Sequence, residues 1–148
     1  MASSADVPAV LAERPTDPSY GVPVPFACER DDGPSSLSAL NRKRVIQCAL
    51  SRICGMCGLS LHNPVVFVGT ADDADRNKFR VPPLHLECAR AALALYPPLA
   101  TPVLGYPRRS STWALLLTGG FELERPTVRG EQVTFRPNSI TSDQRVEI

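Results

Sequence analysis

Apolar residues are scattered over the first 35 positions and become periodic only afterwards. The opening stretch, 1–35, spaces Pro8, Pro15, Pro18, Pro23, Pro25 and Pro34 among short apolar groups. Proline fixes φ and cannot donate to a hydrogen-bond ladder, so an irregular or extended arm is expected, mobile over its first ~18 residues. Its more apolar part, 20–28, is expected to dock on the core as an extended piece. Leu37, Leu40, Val45, Cys48 and Ala49 then recur at roughly helical spacing behind Ser35 and Ser36, good N-caps, and predict a helix over 36–51. Two β-like runs, 65–68 and 79–81, flank a polar stretch with Asp72, Asp73 and Asp75 and read as a hairpin. Pro82 and Pro83 open a second helix, 84–95, which Pro97 and Pro98 end. Strand candidates follow at 112–118, 121–124 and 132–136, separated by Gly119-Gly120 and Gly130. The expected fold is α+β: a Pro-rich arm at 1–35, one domain at 36–136 and a flexible tail at 137–148.

Composition narrows the class. The chain has 148 residues, of which 43% are hydrophobic, enough for one domain with a real core. The formal net charge of +1 gives no global field toward nucleic acid or an anionic membrane. No apolar stretch approaches the ~20 residues of a membrane span, and residues 1–14 have no basic start followed by an apolar run. A cytoplasmic protein is expected, where cysteines stay reduced. Five cysteines in such a compartment point to metal or catalysis before disulfides.

Four of the ligand-type residues form two spaced pairs. Cys54 and Cys57 are separated by two residues, 27 residues follow, and His85 and Cys88 are again separated by two. Zinc takes four soft or borderline ligands at tetrahedral corners. Gly55 and Gly58 let the chain turn sharply around the first pair, as a metal-binding knuckle requires. The second pair sits at i and i+3 at a helix start, so His85 and Cys88 share a face. The positive end of the helix also favours the Cys88 thiolate. One zinc ion on Cys54, Cys57, His85 and Cys88 is therefore expected, closed to further ligands and structural in role.

Knuckle, hairpin, then a helix with two ligands in its first turn is the order of a treble-clef zinc finger, and residues 54–96 resemble that family. The whole chain also resembles a group of small zinc-binding proteins of actinobacteria and their phages that carry no secure activity. That likeness rests on Gly21-x-Pro23-x-Pro25, the Cys54-Gly-Met-Cys57-Gly58 knuckle, the block 82–89 (PPLHLECA) and the helix exit Tyr96-Pro97-x-Leu99. The commoner pattern has a cysteine where this chain has Tyr96, so no fifth ligand is inferred there.

Enzyme readings fit less well. His85-Leu86-Glu87 matches the H-x-E of zinc deaminases, but the motif order is inverted and Cys88 fills the position that a catalytic water needs. An HNH-like nuclease would require His62 as base, without that family's further polar ligands. Redox use of the Cys-x-x-Cys lacks a βαβ setting. Cys48 falls on the apolar stripe of the first helix, which suggests core packing, and Cys28 is left open. Arg42, Lys43, Arg44 and Arg52 form a basic group next to the knuckle and are candidate nucleic-acid contacts. The expectation is a non-catalytic zinc-stabilised binding or adaptor protein whose partner is a protein or nucleic acid. The alternatives are a nucleic-acid-binding zinc finger and, behind it, the nuclease. No small-molecule substrate is evident.

Overall fold

The structure, a computed structural model, describes residues 8–99 and 102–148. Three strands form one antiparallel sheet in the order β1-β2-β3, with β1 at Val65–Thr70, β2 at Thr112–Glu124 and β3 at Thr134–Glu147. Three helices accompany it: α1 (Arg42–Ser51), α2 (Ala71–Arg76) and α3 (Leu86–Leu95). Among the described residues no helix is long and apolar enough to cross a membrane.

Side chains alternate across a strand. Val66, Val68, Trp113 and Leu115 lie in one buried cluster with Ala89, Ala92 and Leu93 of α3 and with Leu11 and Val24 of the arm. Val65, Phe67, Ala114 and Leu116 lie in a second cluster with Val45 of α1, Phe79 and Phe135. Both faces of the sheet are covered here, which is why these strands read as unbroken apolar runs instead of alternating ones. Phe67 packs at ring-centroid distances of 5.7 Å from Phe79, 5.6 Å from Phe121 and 6.0 Å from Phe135.

Several expected elements are corrected. The helix expected over 36–51 starts at Arg42, capped by Asn41, whose side chain accepts from the Lys43 amide. The backbone before it is committed elsewhere. Asp17 Oδ2 accepts the Leu37 amide, and the carbonyls of Leu37 and Ser38 accept from Leu104 and Gly105. These contacts to Asp17 and to 104–105 hold the segment in a non-helical path up to the Asn41 cap.

The expected hairpin between 65–68 and 79–81 does not form. β1 pairs with β2, from Val65 opposite Thr118 to Thr70 opposite Trp113. The second run makes only isolated bridges, Phe79 with Phe135 and, further on, Leu84 with Val66. Pro82 and Pro83 have no amide proton to extend a ladder. The polar stretch between the runs is not a loop but holds α2. The Thr70 side chain caps it at the Asp73 amide, Asp72 and Asp73 stand in its first turn, and Asn77 ends it at φ 52. Acids at the start and a left-handed residue at the end are what a short helix favours.

The strands expected at 112–118 and 121–124 are one strand running through Gly119-Gly120. The third extends to Glu147, so residues 137–147, expected as a flexible tail, are paired with β2. The register slips by one residue between Leu117 and Thr118. A Cβ on Gly119 would stand 3.1 Å from the Ser139 Cβ, so the glycines leave room for the close approach of β3 there. The arm is also more ordered than expected. It makes short 3₁₀ turns at Ala9–Leu11 and Phe26–Cys28 and buries Leu11, Val24, Phe26 and Ala27. The start of the expected mobile stretch, 1–7, lies outside the described residues.

Phe135→Ala removes a fully buried ring shared by β3, Phe67 and Phe79. Denaturant unfolding of the variant should show a loss of about 3–5 kcal/mol; a loss below about 1 kcal/mol would contradict this account of the second cluster.

Candidate metal centre

The chain leaves α1 through Arg52, in the left-handed conformation, and turns at once into the knuckle. The Cys54 amide donates to Leu59 O and the Gly58 amide to Cys54 O, closing a tight loop around Cys57. Gly58 sits at φ +78, and a Cβ there would meet Phe26 at 2.8 Å, so any other residue would be strained twice over. The amides of Met56 and Cys57 point at Cys54 Sγ, at 3.4 and 3.5 Å.

Two further segments lock onto this loop. From the arm, the Phe26 and Ala27 amides donate to Met56 O and Gly55 O, at 3.0 and 2.9 Å. From the other side, the Gly55 amide donates to Pro83 O at 3.0 Å, and Leu84 exchanges both backbone hydrogen bonds with Val66. That bridge delivers the next residue, His85, to the cluster as the N-cap of α3, with Cys88 one turn later.

The four ligand atoms of Cys54, Cys57, His85 and Cys88 all lie within 4.8 Å of one another, and all four residues are buried. A tetrahedral ion with metal–sulfur bonds of about 2.3 Å separates its sulfur ligands by about 3.8 Å, so the set fits a single ion. The histidine is oriented for this. Its Nε2 lies 2.8 Å from Ser60 O and its Nδ1 faces Cys57 Sγ at 3.3 Å. A carbonyl can only accept, so Nε2 carries the proton and Nδ1 presents its lone pair inward.

The sulfurs alone make a poor cluster. Hydrogen bonds from the Cys54 and Cys88 thiols lower Cys57, the bond to Cys57 raises Cys54, and bonds to Cys54 and then Cys57 raise Cys88. One negative charge is thus easy and the next ones are opposed. A cation at the centre removes that opposition, and the partial positive charge at the start of α3 adds to it at Cys88. These four residues are positioned to hold one metal ion.

The other singled-out residues fall outside the set. Cys28 and Cys48 are buried in the core, and loss of solvent pushes each thiol up to about 12. Tyr96, at the exit of α3, donates its hydroxyl to Pro23 O beside Met56 Sδ and so ties helix, arm and knuckle together. His62 is exposed and stacks on the His85 ring at 4.4 Å; its one polar contact among the described residues is the Asn63 carbonyl at 3.5 Å.

The four basic candidates make different local contacts. Arg44 bonds Asp31 at 2.8 Å and lies over the Phe26 ring, and Arg52 lies over the Phe121 ring at 5.2 Å. Lys43 is exposed, and Arg42 instead joins Arg125 and Arg129 around a small cavity beside Leu50. Ser60, which orients His85 through its carbonyl, carries no signal in the sequence, because any residue has that group. Comparison of the chain with protein-family models, with curated proteins and with solved structures returns no match.

The thiols should separate by reactivity. With metal bound, alkylation at pH 8 followed by peptide mapping should leave all five cysteines unmodified for hours. The thiolate fraction of a group titrating near 12 is only about one in ten thousand there. After chelation Cys54, Cys57 and Cys88 should react first. Fast modification of Cys28 or Cys48 in the metal-bound protein would contradict their placement.

Proposed function

We propose that this chain is a non-catalytic, zinc-stabilised binding or adaptor module built on a treble-clef-like core. The observation that carries the reading is closure. All four donors come from the protein, all are buried, and the second nitrogen of His85 is held by Ser60 O. A catalytic zinc keeps a position open for water or substrate, whereas a structural one does not. Three thiolates and one imidazole favour zinc over harder ions that prefer oxygen.

The treble-clef reading is supported by the order of parts: knuckle, a return to β1 at the Val66–Leu84 bridge, and a helix carrying two ligands at its start. The hairpin of that family is here contracted to a single bridge, with α2 inserted before it. His62 supports a nuclease reading only by proximity to the cluster, because no acidic side chain orients it among the described residues.

Protein purified under reducing conditions without chelator should contain one equivalent of zinc per chain by elemental mass spectrometry, and Cys57→Ser should abolish it. Less than half an equivalent, or full occupancy by another metal, would contradict the assignment.

A further inference from the structure

Away from the metal centre, a cavity of about 800 Å³ opens between α2, the segment that follows it, the turn at Gly105 and the β2–β3 connection. Its walls bring Arg125, from the β2–β3 connection, together with Arg76, Lys78 and Arg80 of the segment that starts in α2. None of them is among the basic residues that cluster in the chain next to the knuckle.

The carboxylates on the same walls are mostly engaged. Asp73 is buried and accepts the Tyr106 hydroxyl, and Glu124 lies 3.8 Å from Arg136, outside the cavity. Glu131 remains. Among the cations, Arg76 is paired at 2.8 Å with Asp72. Lys78, Arg80 and Arg125 make no ion pair among the described residues. Arg80 is nonetheless fixed in place. It donates to Gly105 O at 2.8 Å and its guanidinium stacks over the Tyr106 ring at 4.2 Å. A pre-positioned guanidinium loses little freedom when it gains a bidentate partner.

We propose that this cavity is a binding site for a small phosphate-bearing ligand. Three cations with no ion pair among the described residues converge on it, one of them already held by Gly105 O and Tyr106, and Gln132 and Thr134 add neutral donors on the same wall. Charge-assisted hydrogen bonds from such groups suit phosphate oxygens in number and geometry. The volume falls in the range of small-molecule sites, about 300–1,000 Å³, and so favours a compact polyanion over an extended strand. The inference rests on the reading of the chain as a binding module, but not on the metal.

The test is isothermal titration of the zinc-loaded full chain with inorganic pyrophosphate at low and at raised salt. Saturable binding that weakens with salt is expected. The double variant Lys78→Gln/Arg125→Gln, both exposed positions, should bind roughly tenfold more weakly or worse. Lys78→Glu alone is the second variant should the first prove unstable. Arg109→Gln, an exposed arginine outside the cavity, should bind as the parent does. No saturable heat, unchanged binding in the cavity variants, or equal loss in Arg109→Gln would overturn the proposal. So would binding of a single-stranded oligonucleotide without binding of pyrophosphate. Zinc content is measured on the same samples. A protein with one zinc and no anion binding contradicts this inference alone, and anion binding without zinc contradicts only the metal assignment.

Discussion

Three sulfur atoms within 4.8 Å of one another cannot all carry charge unaided. At an effective dielectric of about 20, two unit charges that far apart repel by about 3–4 kcal/mol. A doubly charged ion at the centre reverses the sign of the problem. In this account the rest of the molecule depends on that reversal, because four segments distant in sequence reach the cluster through short backbone hydrogen bonds. The arm grips the knuckle at Met56 O and Gly55 O, the knuckle grips Pro83 O, and Leu84 grips Val66. Each bond alone is worth only about 1 kcal/mol. Together, with a metal ion fixing the side chains they flank, they define where β1, α3 and the arm meet.

The same closure underlies the proposal that the metal serves stability. On the proposed structural reading, a site whose four donors are buried side chains, with its histidine held in one tautomer by a carbonyl, keeps no position open for a substrate. The proposed binding then falls to surfaces that the metal centre positions only indirectly, and the connection between β2 and β3 borders the proposed anion site. Arg125 there borders both the small cavity beside Leu50 and the larger one lined by Lys78 and Arg80, so basic character continues from α1 to α2 across it. Near the knuckle, Arg44 lies over Phe26 and pairs with Asp31, and Arg52 lies over Phe121.

The metal set was legible in the sequence because it depends on local geometry. Two residues between Cys54 and Cys57, glycines around them, and i, i+3 spacing at a helix start are fixed by short-range sterics. Helix α3 was legible for the same reason, with two prolines before it and a run of strong helix formers within it. What escaped is non-local or polar. Nothing near Val65 indicates that its partner is Thr118, 53 residues on. The part of β3 beyond 136 escaped because most of its residues from Asn138 on are exposed and polar, so the strand lacks a clear alternation. α2 is only six residues long and rich in aspartate, a composition that usually marks a loop. Gly119-Gly120 looked like a break and is instead a close approach of two strands.

Hydrogen–deuterium exchange compared between zinc-loaded and zinc-stripped protein tests the central claim most directly. The account predicts that the amides of Phe26, Ala27, Gly55, Val66 and Leu84, whose backbone bonds converge on the knuckle, lose protection together when the metal is removed. Protection at these positions that is unchanged without metal would contradict it.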